Sequence, residues 1–309
     1  MSIYIAGING MVGSAIAKLA ASRGEVVLGK SSKDMNFTDR NATFLELETT
    51  KPEYLIIAAA KVGGIGANSD FPVDFLSLNL QIQTNLLDAA HKAQVKKVLF
   101  LGSSCIYPKF AEQPISEDSL MTGKLEPTNE PYALAKIAGI GLVNSYRRQY
   151  SVPWISAMPT NLYGPRDNFD LRLAHVMPAL IHRISDAKML GADSVEIWGD
   201  GTPLREFLHV DDLAEACLLL LQKYDESVAI NVGSGQEISI IDLAHLIAKI
   251  VGFSGQLVFN TSKPNGTPRK LLDNSRILNL GWKPKIELES GIIDTYNWYL
   301  ENQAKGSTK

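Results

Sequence analysis

The 309 residues suffice to bury one large core or two modest ones, and 45% hydrophobic with 20% charged residues is the make-up of a globular protein. A net charge of −3 excludes a nucleic-acid footprint, so an anionic ligand would need a local basic site. The two cysteines, Cys105 and Cys217, exclude a disulfide framework and fit a reducing, cytoplasmic compartment; no apolar run is long enough to span a bilayer, and the chain opens on a strand, not on a leader.

Ile3–Ala6 is apolar and runs into Gly7-Ile8-Asn9-Gly10-Met11-Val12-Gly13, after which Ser14–Ala21 has helical character. Strand, glycine turn and helix in that order predict a dinucleotide site. Glycines let backbone amides approach a pyrophosphate lying on the helix N-terminus. The next strand, Glu25–Leu28, is followed by Gly29-Lys30-Ser31-Ser32-Lys33, with no acid before Asp34. An NAD site usually places an acid here for the ribose, whereas lysines and serines suit a 2′-phosphate, so the expected cofactor is NADP.

Tyr54–Ala60 is a continuous apolar run, as in a buried parallel strand, ending in Ala58-Ala59-Ala60-Lys61-Val62-Gly63-Gly64. Phe75–Ala93 has helical periodicity, and Val98–Leu101 is a strand leading into Gly102-Ser103-Ser104-Cys105. Alternating strands and helices predict an α/β fold, a Rossmann-type doubly wound parallel sheet, with ligands beyond the carboxyl ends of its strands. Glu130-Pro131 opens a helix bearing Tyr132 and Lys136, four apart and hence on one face. A cation beside a phenol is expected to lower its pKa and equip it to exchange a proton with a carbonyl or alcohol oxygen.

Trp154–Met158 is a strand ending in Pro159-Thr160-Asn161-Leu162-Tyr163-Gly164-Pro165, whose prolines and glycine mark a domain crossing. Phe207–Asp212 reads as a strand returning to the sheet, with Asp211 or Asp212 capping the next helix; Cys217 there is a core thiol. Ala229–Val232 is a strand, Ile240–Val251 a helix closed by Gly252, and Lys263–Lys270 a basic turn suited to phosphate. The last helix spans Glu289–Asn302. The expected division is 1–164 plus 207–233 for the nucleotide domain, 165–206 plus 234–303 for a smaller, interleaved substrate domain, and 304–309 as a flexible tail.

Gly7–Gly13, Ser103 and the Tyr132/Lys136 pair resemble the extended short-chain dehydrogenase/reductase superfamily. Ala60–Ile65, Gly102–Lys109, Glu126–Tyr132, Met158–Pro165 and Gly266–Lys270 resemble the GDP-L-fucose synthase family within it. The resemblance implies NADPH-dependent 3,5-epimerisation and 4-reduction of GDP-4-keto-6-deoxy-D-mannose to GDP-L-fucose, without a metal. It implies Cys105 as base and His175 as acid for the two inversions. Tyr132 would protonate the oxygen at C4 while NADPH delivers hydride, with Ser103 bonding the same oxygen and Lys136 holding the nicotinamide ribose.

By the same resemblance the cofactor contacts are Gly7 to Gly13, Lys30, Ser32, Lys33, Asn36 and Phe37 at the adenosine end. Ala58, Ala59, Ala60, Leu101, Gly102, Ser103 and Ser104 would line its middle. Lys136, Pro159, Thr160, Asn161, Leu162 and His175 would meet the nicotinamide end. Arg183, Trp198, Arg205, Asn265 and Arg269 would bind the GDP-sugar. Asn265 departs from the family, an amide replacing a carboxylate, and Asn9 and Ser32 stand where arginine can hold the 2′-phosphate. Helices 75–93 and 132–150 resemble those of a homodimer contact. The competing readings are a nucleotide-sugar epimerase or dehydratase that retains NAD, and a non-catalytic NADP sensor; a sensor would need neither the thiol nor the phenol.

Overall fold

In the computed structural model, which describes residues 1–304, strand and helix alternate as the periodicity predicts. The order is β1 (Ser2–Ala6), α1 (Met11–Ser22), β2 (Val26–Lys30), α2 (Arg40–Thr50), β3 (Tyr54–Ile57), α3 (Ile65–Asp70), α4 (Pro72–Lys92) and β4 (Lys97–Leu101). Then come α5 (Glu130–Tyr150), β5 (Ile155–Pro159), β6 (Asn161–Tyr163), α6 (Val176–Met189), β7 (Ser194–Trp198), β8 (Leu204–His209), α7 (Val210–Lys223) and β9 (Ile230–Val232). The chain closes with β10 (Glu237–Ser239), α8 (Ile240–Val251), β11 (Gln256–Asn260), β12 (Arg269–Lys270), α9 (Ser275–Asn279) and α10 (Leu288–Ala304). Ala304, expected in a tail, ends α10; 305–309 lie outside the described residues.

The main sheet is parallel, in the order β2-β1-β3-β4-β5-β9. Apart from edge strand β2, its strands are buried on both faces, so successive side chains enter opposite cores. Ile3, Ile5, Ile56, Leu99 and Leu101 join Ile16, Leu213 and Cys217 of α1 and α7. Tyr4, Leu55, Ile57, Val98 and Phe100 join Leu47, Leu86, Leu87 and Val143 of α2, α4 and α5. Connections run in opposite directions from β1, leaving a crevice beyond its carboxyl end and that of β3.

Two expectations about the region after 206 need correction. The strand there, β8, does not return to the parallel sheet; it lies in a second sheet, flanked by β10 and β12, and pairs with β6. Glu206 secures it: this fully buried carboxylate accepts from the amides of Gly235 and Leu272 and from Asn274. Nor does Asp211 or Asp212 cap α7. His209 is the N-cap, its Nδ1 accepting from the Asp211 amide. The Asp212 carboxylate instead accepts from the amides of Lys285 and Ile286. A third core, built from α6, α8 and α10 against β7 and Phe207, carries the smaller lobe.

Candidate active site

At the crevice, Gly7 has φ +85°, and a Cβ there would lie 3.0 Å from the Ala59 backbone; one on Gly13 would lie 2.2 Å from the Gly7 carbonyl oxygen. The Gly10 amide donates to that carbonyl, and Gly10 caps α1 without any side-chain bond to its first amides. Those amides are therefore open to an anion at the positive end of a three-turn helix. This cradle fits a dinucleotide pyrophosphate. Ile8 and Asn9 complete the turn and Met11 and Val12 open α1, with Ile8, Met11 and Val12 packed against the core.

Beyond β2, Lys30, Ser32, Lys33 and Asn36 are exposed, and Phe37 is buried beneath them. Ser31, expected to share in phosphate binding, is instead buried and donates from both hydroxyl and amide to Asp34, holding that carboxyl below its usual range. Ala58, Ala59 and Ala60 leave β3, and Asn79 of α4 fixes the next residue by bonding both the amide and the carbonyl of Lys61.

Leu101 and Gly102 end β4 against β5: the Gly102 amide donates to Ala157, and a Cβ on Gly102 would meet Met158 Sδ at 2.5 Å. Ser103 caps the single turn Ser104–Ile106, its Oγ accepting the Cys105 amide at 3.2 Å. Pro131 in the first turn of α5 starts the helix that brings Tyr132 and Lys136 over this turn. The Ser103 hydroxyl neighbours the Tyr132 phenol and favours its ionised form. Lys136 Nζ donates to the Leu101 carbonyl at 2.8 Å and lies 5.8 Å from the Tyr132 ring centroid.

The expected lowering of Tyr132 by Lys136 does not hold here. Burial pushes the phenol up, charge on Cys105 adds to this, and Ser103 only partly opposes it. Burial also draws Lys136 down to about 7. Desolvation thus favours the neutral form of both groups. A phenol kept protonated is a proton donor, the role that reduction of a ketone requires.

His175 caps α6. It is exposed, and desolvation by the neighbouring protein, then the Lys270 charge, holds its pKa low. The loop before it rests on Gly64, whose amide donates to the Leu173 carbonyl at 2.9 Å. A Cβ on Gly64 would come within 2.3 Å of the Ala174 carbonyl, whereas one on Gly66 would meet nothing. The resemblance implies that His175 acts in inversion at C3 and C5; on that expectation Gly64→Ala, by displacing it, should slow inversion by about tenfold to a hundredfold, as ångström-scale misplacement does. NADPH affinity should stay unchanged, and Gly66→Ala should leave inversion untouched. Solvent-deuterium exchange into the sugar reads this, and undiminished exchange in Gly64→Ala would refute the coupling.

Pro159 ends β5, and the Thr160 and Asn161 side chains donate to the Glu206 carbonyl, tying the two sheets together beside Leu162. On the smaller lobe, Trp198 is 43% exposed, with Arg183 4.9 Å and Lys263 5.0 Å from its ring centroid. Asn265 Oδ1 accepts the Asp200 amide at 3.0 Å, and Arg205 donates to the Asn265 carbonyl at 3.2 Å. Arg183, Trp198, Arg205 and Asn265 thus form one cationic, aromatic patch.

Arg269 does not join that patch as expected: its guanidinium grips Glu237 at 2.8 Å through both Nε and Nη2. Its neighbour Lys270, which sequence reasoning left in the phosphate turn, is buried, with Nζ 3.7 Å from Cys105 Sγ. Strand alternation across Arg269-Lys270 is the signal that would have separated the two.

Residues 3–233 match the model of the NAD dependent epimerase/dehydratase family. The chain is 53% identical to "GDP-L-fucose synthase 1" of Arabidopsis thaliana, over 97% of this chain and 93% of that one. It is 50% identical to "GDP-L-fucose synthase" of Escherichia coli (strain K12), over 97% of each. A solved structure of a GDP-L-fucose synthetase from Naegleria fowleri bound to NADP superposes with a TM-score of 0.90 at 30% identity, covering 100% of this chain and 96% of that one.

Proposed function

The chain belongs to the NAD dependent epimerase/dehydratase family, and within it we propose NADPH-dependent 3,5-epimerisation and 4-reduction of GDP-4-keto-6-deoxy-D-mannose to GDP-L-fucose. The observation that carries this reading is a thiol, Cys105, on the same turn as Ser103, beneath Tyr132. Reduction alone needs the hydroxyl and the phenol; a thiol beside them adds a base.

The C4 ketone acidifies the hydrogens on C3 and C5. Cys105 takes a proton from one face, and His175 returns one to the other, so each centre inverts. Tyr132 then protonates the oxygen at C4, and Ser103 bonds it as charge develops. When bound, NADPH supplies the hydride. Gly7 to Gly13 and the exposed Lys30, Ser32 and Lys33 would hold its phosphates, Asn36 and Phe37 its adenosine, and Lys136 its nicotinamide ribose. Ala58 to Ala60, Leu101 to Ser104, and Pro159 to Leu162 would line the path to His175. Arg183 and Arg205 are assigned to the diphosphate, with Trp198 and Asn265 toward the nucleoside. The substrate would lie between a larger lobe built on the parallel sheet and a smaller one carrying α6, α8 and α10, with β8 in the second sheet between them.

A homodimer through α4 and α5 is supported by exposed Val73, Leu134 and Tyr150 on those helices. A cytoplasmic site of action agrees with two free cysteines and the need for NADPH. Incubation with GDP-4-keto-6-deoxy-D-mannose and NADPH tests the function: GDP-L-fucose is the expected product, and cofactor oxidation without it would reject the reading.

A further inference from the structure

Lys270 is 9% exposed, and its ammonium has Cys105 Sγ, 3.7 Å away, as its hydrogen-bond partner among the described residues. A buried cation without a counter-charge is costly, and a neutral thiol is a poor acceptor. A thiolate satisfies both needs. The placement is built, not incidental. β12 pairs with β8 so that Lys270 stands opposite Arg205. On either side of Lys270, the Arg269 carbonyl accepts from the Gln113 side chain and the Leu271 amide donates to it, while the Ile115 amide donates to the Leu271 carbonyl. The Leu272 amide is fixed by Glu206. The lysine therefore projects from a strand held along both edges.

We propose, resting on the function above, that Lys270 is a positioning residue for epimerisation: its ammonium holds Cys105 as the thiolate that abstracts the sugar proton. Lys270 of β12 contacts that sulfur; the other titratable groups whose charge it affects are Arg205 of β8 and Tyr132 of α5, and Lys270 in turn acts on His175. In the step, the C–H bond breaks, S–H forms, and the electron pair moves to the oxygen at C4. Neutralising the sulfur leaves Lys270 without its counter-ion.

The test is iodoacetamide alkylation of Cys105 in the intact protein, followed by peptide mass spectrometry across a pH series, since only the thiolate reacts. Cys217 is an internal control, because burial pushes it up to about 12. Lys270→Met is expected to lower the Cys105 alkylation rate at pH 7 by about tenfold and move its rising limb to higher pH, as loss of an adjacent cation does. Lys270→Arg should restore most of the rate. Should Lys270→Met fail to fold, Lys270→Gln is read in the same way. A profile superimposing on that of the unmodified protein overturns the proposal, whatever the enzyme makes. A Lys270-dependent profile in a protein that yields no GDP-L-fucose supports the thiolate pairing and rejects the function instead.

Discussion

Cys105→Ser is expected to reduce GDP-L-fucose formation by about a thousandfold, within the range that loss of a general base produces. Serine keeps the size and position of the side chain on its turn, so the Ser103 bond to the residue 105 amide and the approach of α5 should survive. What changes is acidity. A thiol is far more acidic than a hydroxyl, so the variant offers the sugar no comparable base. Lys270 would then face a neutral oxygen, a poorer partner for a buried ammonium than sulfur carrying charge. The measurements are product formation and solvent-deuterium incorporation at C3 and C5, alongside NADPH titration. Both chemical readouts should collapse while cofactor affinity holds. Undiminished product would remove Cys105 as base.

Much of this site could be read from the chain because local physics dictates it. A strand, three glycines and a helix leave few ways to arrange Gly7, Gly10 and Gly13. Pro131 starts α5 and so fixes the phase that puts Tyr132 and Lys136 on one face. Ile240–Val251 was legible to the residue, ending at Gly252 with φ +76°. The failures are tertiary. β8 has the composition of any buried strand, and nothing local says which sheet it enters; long-range pairing with β6, β10 and β12 decides that. Asp212 sits where a cap is common, but the Lys285 and Ile286 amides, some seventy residues on, claim it. Arg269 and Lys270 read as equal members of a basic run until strand pairing sends one to Glu237 and the other to Cys105. The acidity of Tyr132 was misjudged for the same reason. Spacing on a helix gives proximity to Lys136, but only the packed interior determines that desolvation outweighs it.

That inversion of sign shapes the expectation for Tyr132→Phe. The ring should keep its edge contact with Phe75, whose centroid lies 6.4 Å away, so the variant loses only the hydroxyl. Reduction at C4 should fall by about a hundredfold to ten-thousandfold, because the developing oxyanion loses its proton donor and retains only the Ser103 bond. Cys105, Lys270 and His175 are untouched, so deuterium should still wash into C3 and C5 from solvent while the ketone persists. Separation of the two chemistries is the diagnostic result. Normal reduction in Tyr132→Phe would exclude the phenol as donor; loss of exchange together with reduction would mean that one group serves both steps. A pH series adds an independent check on the unmodified protein. With its pKa raised by burial, Tyr132 stays protonated well above neutrality, so reduction should not fail for want of a phenolic proton as pH rises through 8 and 9. Lys136, drawn down to about 7, is the group that loses its charge below that interval, around neutrality, before cofactor binds. A decline in NADPH affinity centred near pH 7 would therefore trace to Lys136, whereas an alkaline decline in the reduction step of the bound complex would contradict a protonated Tyr132.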